Sequence, residues 1–191
     1  ERGTSLLLGD VNDDHYAQEI LHLLSEHFLE RKQKEKAKPY LEQLVVNYEK
    51  SVRQEDLTPE QRVEQIILIG ELYNDLDEYE QAERWLNHAL KSMETIEDGR
   101  KKWQLRILRE KGFALFKLAK HTKALAASLK VLYLDRSLSE QQRYDLNLRI
   151  ASSYVKLNRN KEAKAIYRKM LNNFGGIIRQ KEVKGLLGNL M

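Results

Sequence analysis

The stretch Ile66-Ile67-Leu68-Ile69-Gly70-Glu71-Leu72-Tyr73-Asn74-Asp75-Leu76-Asp77-Glu78-Tyr79-Glu80-Gln81-Ala82 decides how this chain folds. Ile66, Ile69 and Tyr73 stand at i, i+3 and i+7, which is one face of a helix. A small residue, Gly70, is followed three residues on by an aromatic, Tyr73, and twelve residues on by Ala82. The same spacing recurs as Ser25/Phe28/Ala37, Gly112/Leu115/Ala124 and Ala151/Tyr154/Ala163. The four alanines are 45, 42 and 39 residues apart, so the period drifts while the internal spacing holds. A helix-pair unit repeated four times predicts an all-α repeat array whose core runs from unit to unit.

Local signals agree with that reading. Thr58 can cap free N–H groups, Pro59 suits the first helical position, and Gln61 completes a capping box. Leu138-Ser139-Glu140-Gln141-Gln142-Arg143 repeats that start ahead of the fourth unit. The pattern predicts helices over 15–31, 36–54, 59–75, 78–97, 101–118, 121–135, 139–156, 159–174 and 177–189. The units then span 18–54, 58–97, 101–137 and 139–175 within 15–177, with 1–14 as an N-terminal extension. Gly175-Gly176 ends the last unit, and 177–191 forms a capping helix over the open end. Gly70 and Gly112, opposite Ala82 and Ala124, let paired helices approach closely, and the aromatics fill the wedge between units.

Composition narrows the function classes. Charged residues are 32% of the chain and hydrophobic ones 41%, too apolar for a disordered segment yet amply solvated. The lack of cysteine excludes disulfides and thiolate metal sites, and fits a soluble cytoplasmic or periplasmic protein. No apolar run approaches the ~20 residues of a membrane span. The chain opens at Glu1, which predicts a segment of a longer polypeptide. The net charge of +4 is unevenly spread: from Lys156 to Lys184 nine Lys/Arg face only Glu162 and Glu182. A solvated face accounts for such a run most simply, and a basic docking patch is the sharper reading.

The spacings resemble the tetratricopeptide repeat (TPR), in a variant with longer repeats. The closest unit is Ile66, Ile69, Gly70, Tyr73, Ala82, Leu86, Ala89. The first unit reads Leu21, Leu24, Ser25, Phe28, Ala37, Leu41, Leu44, and the fourth Ile150, Ala151, Tyr154, Ala163, Tyr167, Met170. The third departs from the pattern at Lys111 and Ser128. The resemblance implies a right-handed α-α superhelix whose concave groove binds a peptide or helix of another protein. It also implies that positions one turn either side of each small residue line that groove. In the first two units these include Glu19, His22, Glu26, Glu30, Glu64, Ile67, Glu71, Asn74 and Asp75. In the last two they include Arg106, Arg109, Phe113, Phe116, Lys117, Leu148, Ser152, Val155 and Lys156. The groove is thus expected to pass from acidic to basic, with Phe113 and Phe116 as apolar anchors. The carboxylate clamp of some family members, built on Lys and Asn, is not matched by His22/Glu26, Ile67/Glu71, Arg109/Phe113 or Leu148/Ser152.

Catalytic and cofactor signatures are not found. The five histidines form no metal-spaced motif. Asp10-Val11-Asn12-Asp13-Asp14 starts like a calcium loop but has His15 for the required Gly and Leu21 for the bidentate Glu. The expectation is therefore a non-enzymatic interaction scaffold without cofactor or metal. A regulatory or sensor module of a larger protein is the alternative, and an RNA-binding array the third reading, weakened because Tyr154 and Tyr167 hold core positions.

Overall fold

The computed structural model describes residues 11–54, 56–96, 100–174 and 176–190. Helices among them follow one another in pairs: α1 Val11–Glu30 with α2 Lys34–Val52, α3 Pro59–Asp75 with α4 Tyr79–Ser92, α5 Arg100–Lys117 with α6 His121–Leu134, and α7 Glu140–Lys156 with α8 Asn160–Asn173. The last helix, α9 Ile177–Gly188, packs on α8. No strand occurs among the described residues. Helix α1 begins at Val11, earlier than its apolar pattern predicts, and α4, predicted over 78–97, ends at Ser92 and gives way to a 3-10 turn at Met93–Thr95. The terminator role expected of Gly175 lies outside the described residues, whereas Gly176, with φ +105°, precedes α9 in a backbone conformation that glycine favours.

The two predicted capping boxes are both formed. Thr58 Oγ1 accepts from the Gln61 N–H at 3.2 Å while the Thr58 N–H donates to Gln61 Oε1 at 3.0 Å. Ser139 and Gln142 repeat the exchange at 3.2 and 2.9 Å. The turns inside the pairs are also copies of one another. Lys32, Asp77, Ala119 and Asn158 have φ of 58°, 62°, 57° and 59°, each in the left-handed region. The next N–H reaches back to the carbonyl of the repeat's aromatic or Leu position: Gln33 to Phe28, Glu78 to Tyr73, Lys120 to Leu115 and Arg159 to Tyr154, at 2.8–2.9 Å. This is the Schellman arrangement, completed by bonds from Lys32, Asp77, Ala119 and Asn158 to the carbonyls of Leu29, Asn74, Phe116 and Val155. One position per unit therefore supplies both a core side chain and the carbonyl that stops the helix.

Ala37, Ala82, Ala124 and Ala163 are fully buried, as are Gly70, Gly112 and Ala151, with Ser25 nearly so. The tight contact of Gly70 differs from the expected one with Ala82. A Cβ on Gly70 would lie 2.7 Å from Leu86 Cγ, one turn further along α4. The space at Gly70 is thus filled by a side chain rather than by converging backbones. Gly112 is looser, with Ser128 Oγ at 3.3 Å and Ala127 Cβ at 3.4 Å.

The core is assembled across unit boundaries. Leu72 of α3 joins Ala37, Leu41, Leu44 and Val45 of α2. Val52 of α2 and Ile107 of α5 join the α3–α4 cluster around Ile66, Ile69 and Leu86. Val183 of α9 closes the cluster of Tyr144, Ala151, Ala163, Tyr167 and Met170. Between units, arginines tie down the connecting segments: Arg62 donates to the Val52 and Gln54 carbonyls, Arg100 to those of Glu94 and Ile96, and Arg143 to those of Arg136 and Leu138.

The stack is curved. First helices of successive units touch directly, α3 on α5 and α5 on α7, while among the described residues no comparable contact joins α4 to α6 or α6 to α8. Packing closer on one side than on the other turns the first helices inward, so α3, α5 and α7 line the concave surface.

Candidate functional site

Side chains and backbone link the three inner helices. Arg106 of α5 donates through Nε and Nη2 to the two carboxylate oxygens of Glu71 on α3, at 2.7 and 2.6 Å, and through Nη1 to Glu64. Trp103 Nε1 donates to Glu64 Oε2 at 2.9 Å. Asn74 Nδ2 donates to the Glu110 carbonyl at 3.2 Å, and from α7 Arg149 Nη1 donates to the Arg109 carbonyl at 2.9 Å. Two adjacent carbonyls in the middle of α5 thus accept one tie from each neighbour.

The charges respond to this packing. Arg106 is held further into its charged form, chiefly by its hydrogen bond to Glu71. Glu71 is nonetheless raised, because burial outweighs the help from Arg106 and Glu110 adds repulsion. The two partners pull in opposite senses, and the geometry decides that the pair is formed but modest in net worth, as buried pairs are. Asp75, at the end of α3, keeps contact with solvent yet sits in the recess of the curve. The protein around it, with Glu110 and Glu71 beside it, raises its carboxyl to about 6 against an opposing pull from Lys34.

Several expected groove residues have other engagements. Ile67 is wholly buried in the core with Val63 and Ile66, so it lines nothing. Asn74 is buried and tied to α5, and His22 turns to Tyr48 Oη at 2.8 Å. Arg106, expected to meet a partner's acid, is taken up by Glu64 and Glu71, which were expected to meet a partner's bases. Arg109 pairs with Glu110 at 2.9 Å. Phe116 is half-buried against His121 of its own pair, with ring centres 5.5 Å apart, so it is no free anchor. Lys117, Lys156 and Asp75 are exposed, as are Glu19 and Glu26 on α1, which lacks the close contact to α3 that the later inner helices share.

Phe113 is the centre of what remains. Half-buried, it takes the edge of Tyr79 at 5.9 Å, has Lys117 Nζ 5.4 Å from its ring centre, and has the Arg149 guanidinium at 5.2 Å. The spacing argument missed Arg149 because it selects Leu148, three residues before Ala151, and Ser152, one after it, and passes over the position two before. The positions equivalent to Arg149 are Leu23, Leu68 and Glu110, so no repeated chemistry marks it. Of the basic C-terminal cluster, Arg159 pairs with Glu162 over the Tyr154 ring, and Arg179 pairs with Glu140 over Tyr144. Among the described residues no group of three or more His, Asp or Glu is placed to hold a metal ion, and no helix is long and apolar enough to cross a membrane.

Comparison with known proteins bears on the same units. Residues 66–92 and 144–172 match the family model of the tetratricopeptide repeat, which are the second and fourth units. No curated protein matches the chain. Among solved structures, a Podosopora anserina protein assigned as a kinesin light chain, with nearly identical TPR-like repeats, superposes with a TM-score of 0.62. That superposition covers 92% of this chain and 86% of the other at 15% identity, a likeness of fold. The second and fourth units thus carry sequence matching the tetratricopeptide repeat, and over nearly its whole length the chain shares the all-α fold of a TPR-like repeat array.

Proposed function

We propose that this protein is a non-enzymatic interaction scaffold that takes a segment of another protein on the concave surface of α3, α5 and α7. The observation that carries this reading is Phe113, an aromatic half-exposed on the inner curve with Lys117 and Arg149 over its ring and Tyr79 at its edge. Aromatic and arginine side chains at the centre of a recess are the residue types that dominate protein interfaces. Lys117 and Lys156 supply the basic half of the surface, with Phe116 and the Glu110-paired Arg109 beside them. Asp75, with Glu19 and Glu26 further along, supplies the acidic half that sets a partner's direction. Arg106, Glu64 and Glu71 act as the brace that holds α3 against α5.

The test is affinity capture with the full chain against the triple variant Arg109→Glu, Phe113→Ala, Lys117→Glu, after circular dichroism and melting show that the variant is folded. Proteins retained by the wild type and lost by the variant support the groove. Equal retention by both places the binding surface elsewhere on the array.

A further inference from the structure

Five arginines lie on α5 and α7: Arg100 and Arg143, at the starts of the two helices, tie down the connecting segments, and of the three further along, two are neutralised within the fold. Arg106 is shared by Glu64 and Glu71, and Arg109 is paired with Glu110. Arg149 differs. It makes no ion pair with any described residue, and its hydrogen bond goes to a neutral acceptor, the Arg109 carbonyl. It is half-buried rather than sealed, and the protein packed around it holds it below the usual guanidinium range. Glu110 and Asp145 attract it from a distance, while Arg109 repels it. Gly112 makes room for this placement, since a Cβ there would lie 3.4 Å from Arg149 Nη1.

A partly desolvated cation without an anion is costly to keep, and only part of that cost is offset by stacking on an aromatic face and by one carbonyl. A carboxylate arriving from outside would find a fork of donors whose desolvation has already been met in part by folding. That geometry is preorganised for a bidentate acceptor. Lys117 is exposed and lies over the same ring, so a second cation is within reach of the same ligand group or its neighbour.

We infer that Arg149 and Lys117, flanking Phe113, form an acid-reading subsite that takes a Glu or Asp side chain of a partner protein, with an adjacent apolar side chain resting on Phe113. This rests on the groove reading above and adds the chemistry of the partner, an acidic-apolar protein segment. Arg149 is the directional reader, because its planar fork matches a carboxylate, whereas Lys117 adds charge without direction.

The experiment uses two fluorescent peptides of about twelve residues, one alternating Glu and Leu and the other Gln and Leu, titrated against the full chain by anisotropy. The wild type should prefer the Glu peptide by about tenfold or more, and the preference should shrink with salt. Arg149→Gln should abolish the preference while leaving the Gln peptide's affinity unchanged, an outcome that general structural damage would not produce. Arg149→Lys, which keeps the charge and loses the fork, should retain a reduced preference and serves if the Gln variant does not fold. Lys161→Gln, on exposed α8, should behave as wild type. A wild type that binds both peptides equally, or neither, overturns the inference, as does a full preference in Arg149→Gln. If that preference persists and Phe113→Ala still weakens both peptides, the groove reading stands and the Arg149 assignment alone fails. If Phe113→Ala is also without effect, the groove reading fails as well.

Discussion

Arg106 and Glu71 meet through two hydrogen bonds of 2.7 and 2.6 Å, across 35 positions of sequence and between the first helices of neighbouring units. Each side chain is about a quarter exposed, 25% for Arg106 and 23% for Glu71, so the pair is sheltered without being sealed. Its consequence is functional as much as structural. Charge that the sequence presents as an acidic half and a basic half of a groove is largely cancelled where α3 meets α5, which shifts the free cations toward α7.

Removing Arg106 leaves Glu71 in a recess that already disfavours its charge. Arg106→Ala is expected to destabilise the fold by about 1–3 kcal/mol, below the cost for a fully buried pair because water still reaches both groups. Adding Glu71→Gln to that variant should recover part of the loss. Urea denaturation of the two single variants and the double one measures the coupling, and additive effects would remove the brace role.

Asp75 sets a pH dependence whose sign follows from its raised carboxyl. With a folded value near 6 and an unfolded one near 3.8, the folded state binds more protons between those pH values. This group therefore opposes folding once ionised, and its contribution improves as the pH falls from 6 toward 4. Asp75→Asn should raise the melting temperature at neutral pH and make the melting profile less dependent on pH between 4 and 6. An unchanged profile in the variant would show that Asp75 titrates as an ordinary surface carboxylate.

The two inner glycines should respond differently to alanine. At Gly70 the new Cβ would stand 2.7 Å from Leu86 Cγ, so Gly70→Ala is expected to cost about 1–2 kcal/mol after the helix-propensity gain of roughly 1 kcal/mol. At Gly112 the nearest contacts are 3.3–3.4 Å, and the same change should fall within about 1 kcal/mol of neutral. Combining Gly70→Ala with Leu86→Ala should cost less than the two changes separately, because Leu86 Cγ is the obstacle. Denaturant midpoints of the three variants decide the ordering.

Ala119 takes the left-handed conformation that ends α5, with φ 57° and a Cβ that this region disfavours. Ala119→Gly should stabilise by about 0.5–1 kcal/mol, the relief of strain exceeding the entropy that glycine adds to the unfolded chain. Asp77→Gly has the same backbone logic but also loses the ion pair with Lys34 and the bond from Tyr79, so its gain should be smaller. Equal gains at the two positions would mean that the Asp77 contacts contribute nothing.

How much the sequence determined can be followed residue by residue. The positions of Gly70, Tyr73 and Ala82 and their three copies settled the helix pairs and the buried small residues, because helical periodicity is a local property that spacing alone reveals. The capping boxes at Thr58 and Ser139 were legible for the same reason: donor and acceptor lie three residues apart. The Schellman turns were not, since Lys32, Asp77, Ala119 and Asn158 share a conformation but no chemistry. The inner surface was legible only in outline. Whether Arg106 faces a partner or Glu71, whether Ile67 lines a groove or fills a core, and which cation is left without an anion depend on how neighbouring units sit against each other. Arg149 shows the limit most plainly: its carbonyl acceptor is 40 residues away and its aromatic support is on another helix. Those relations come into being only when α5 and α7 pack, so tertiary structure alone decided them.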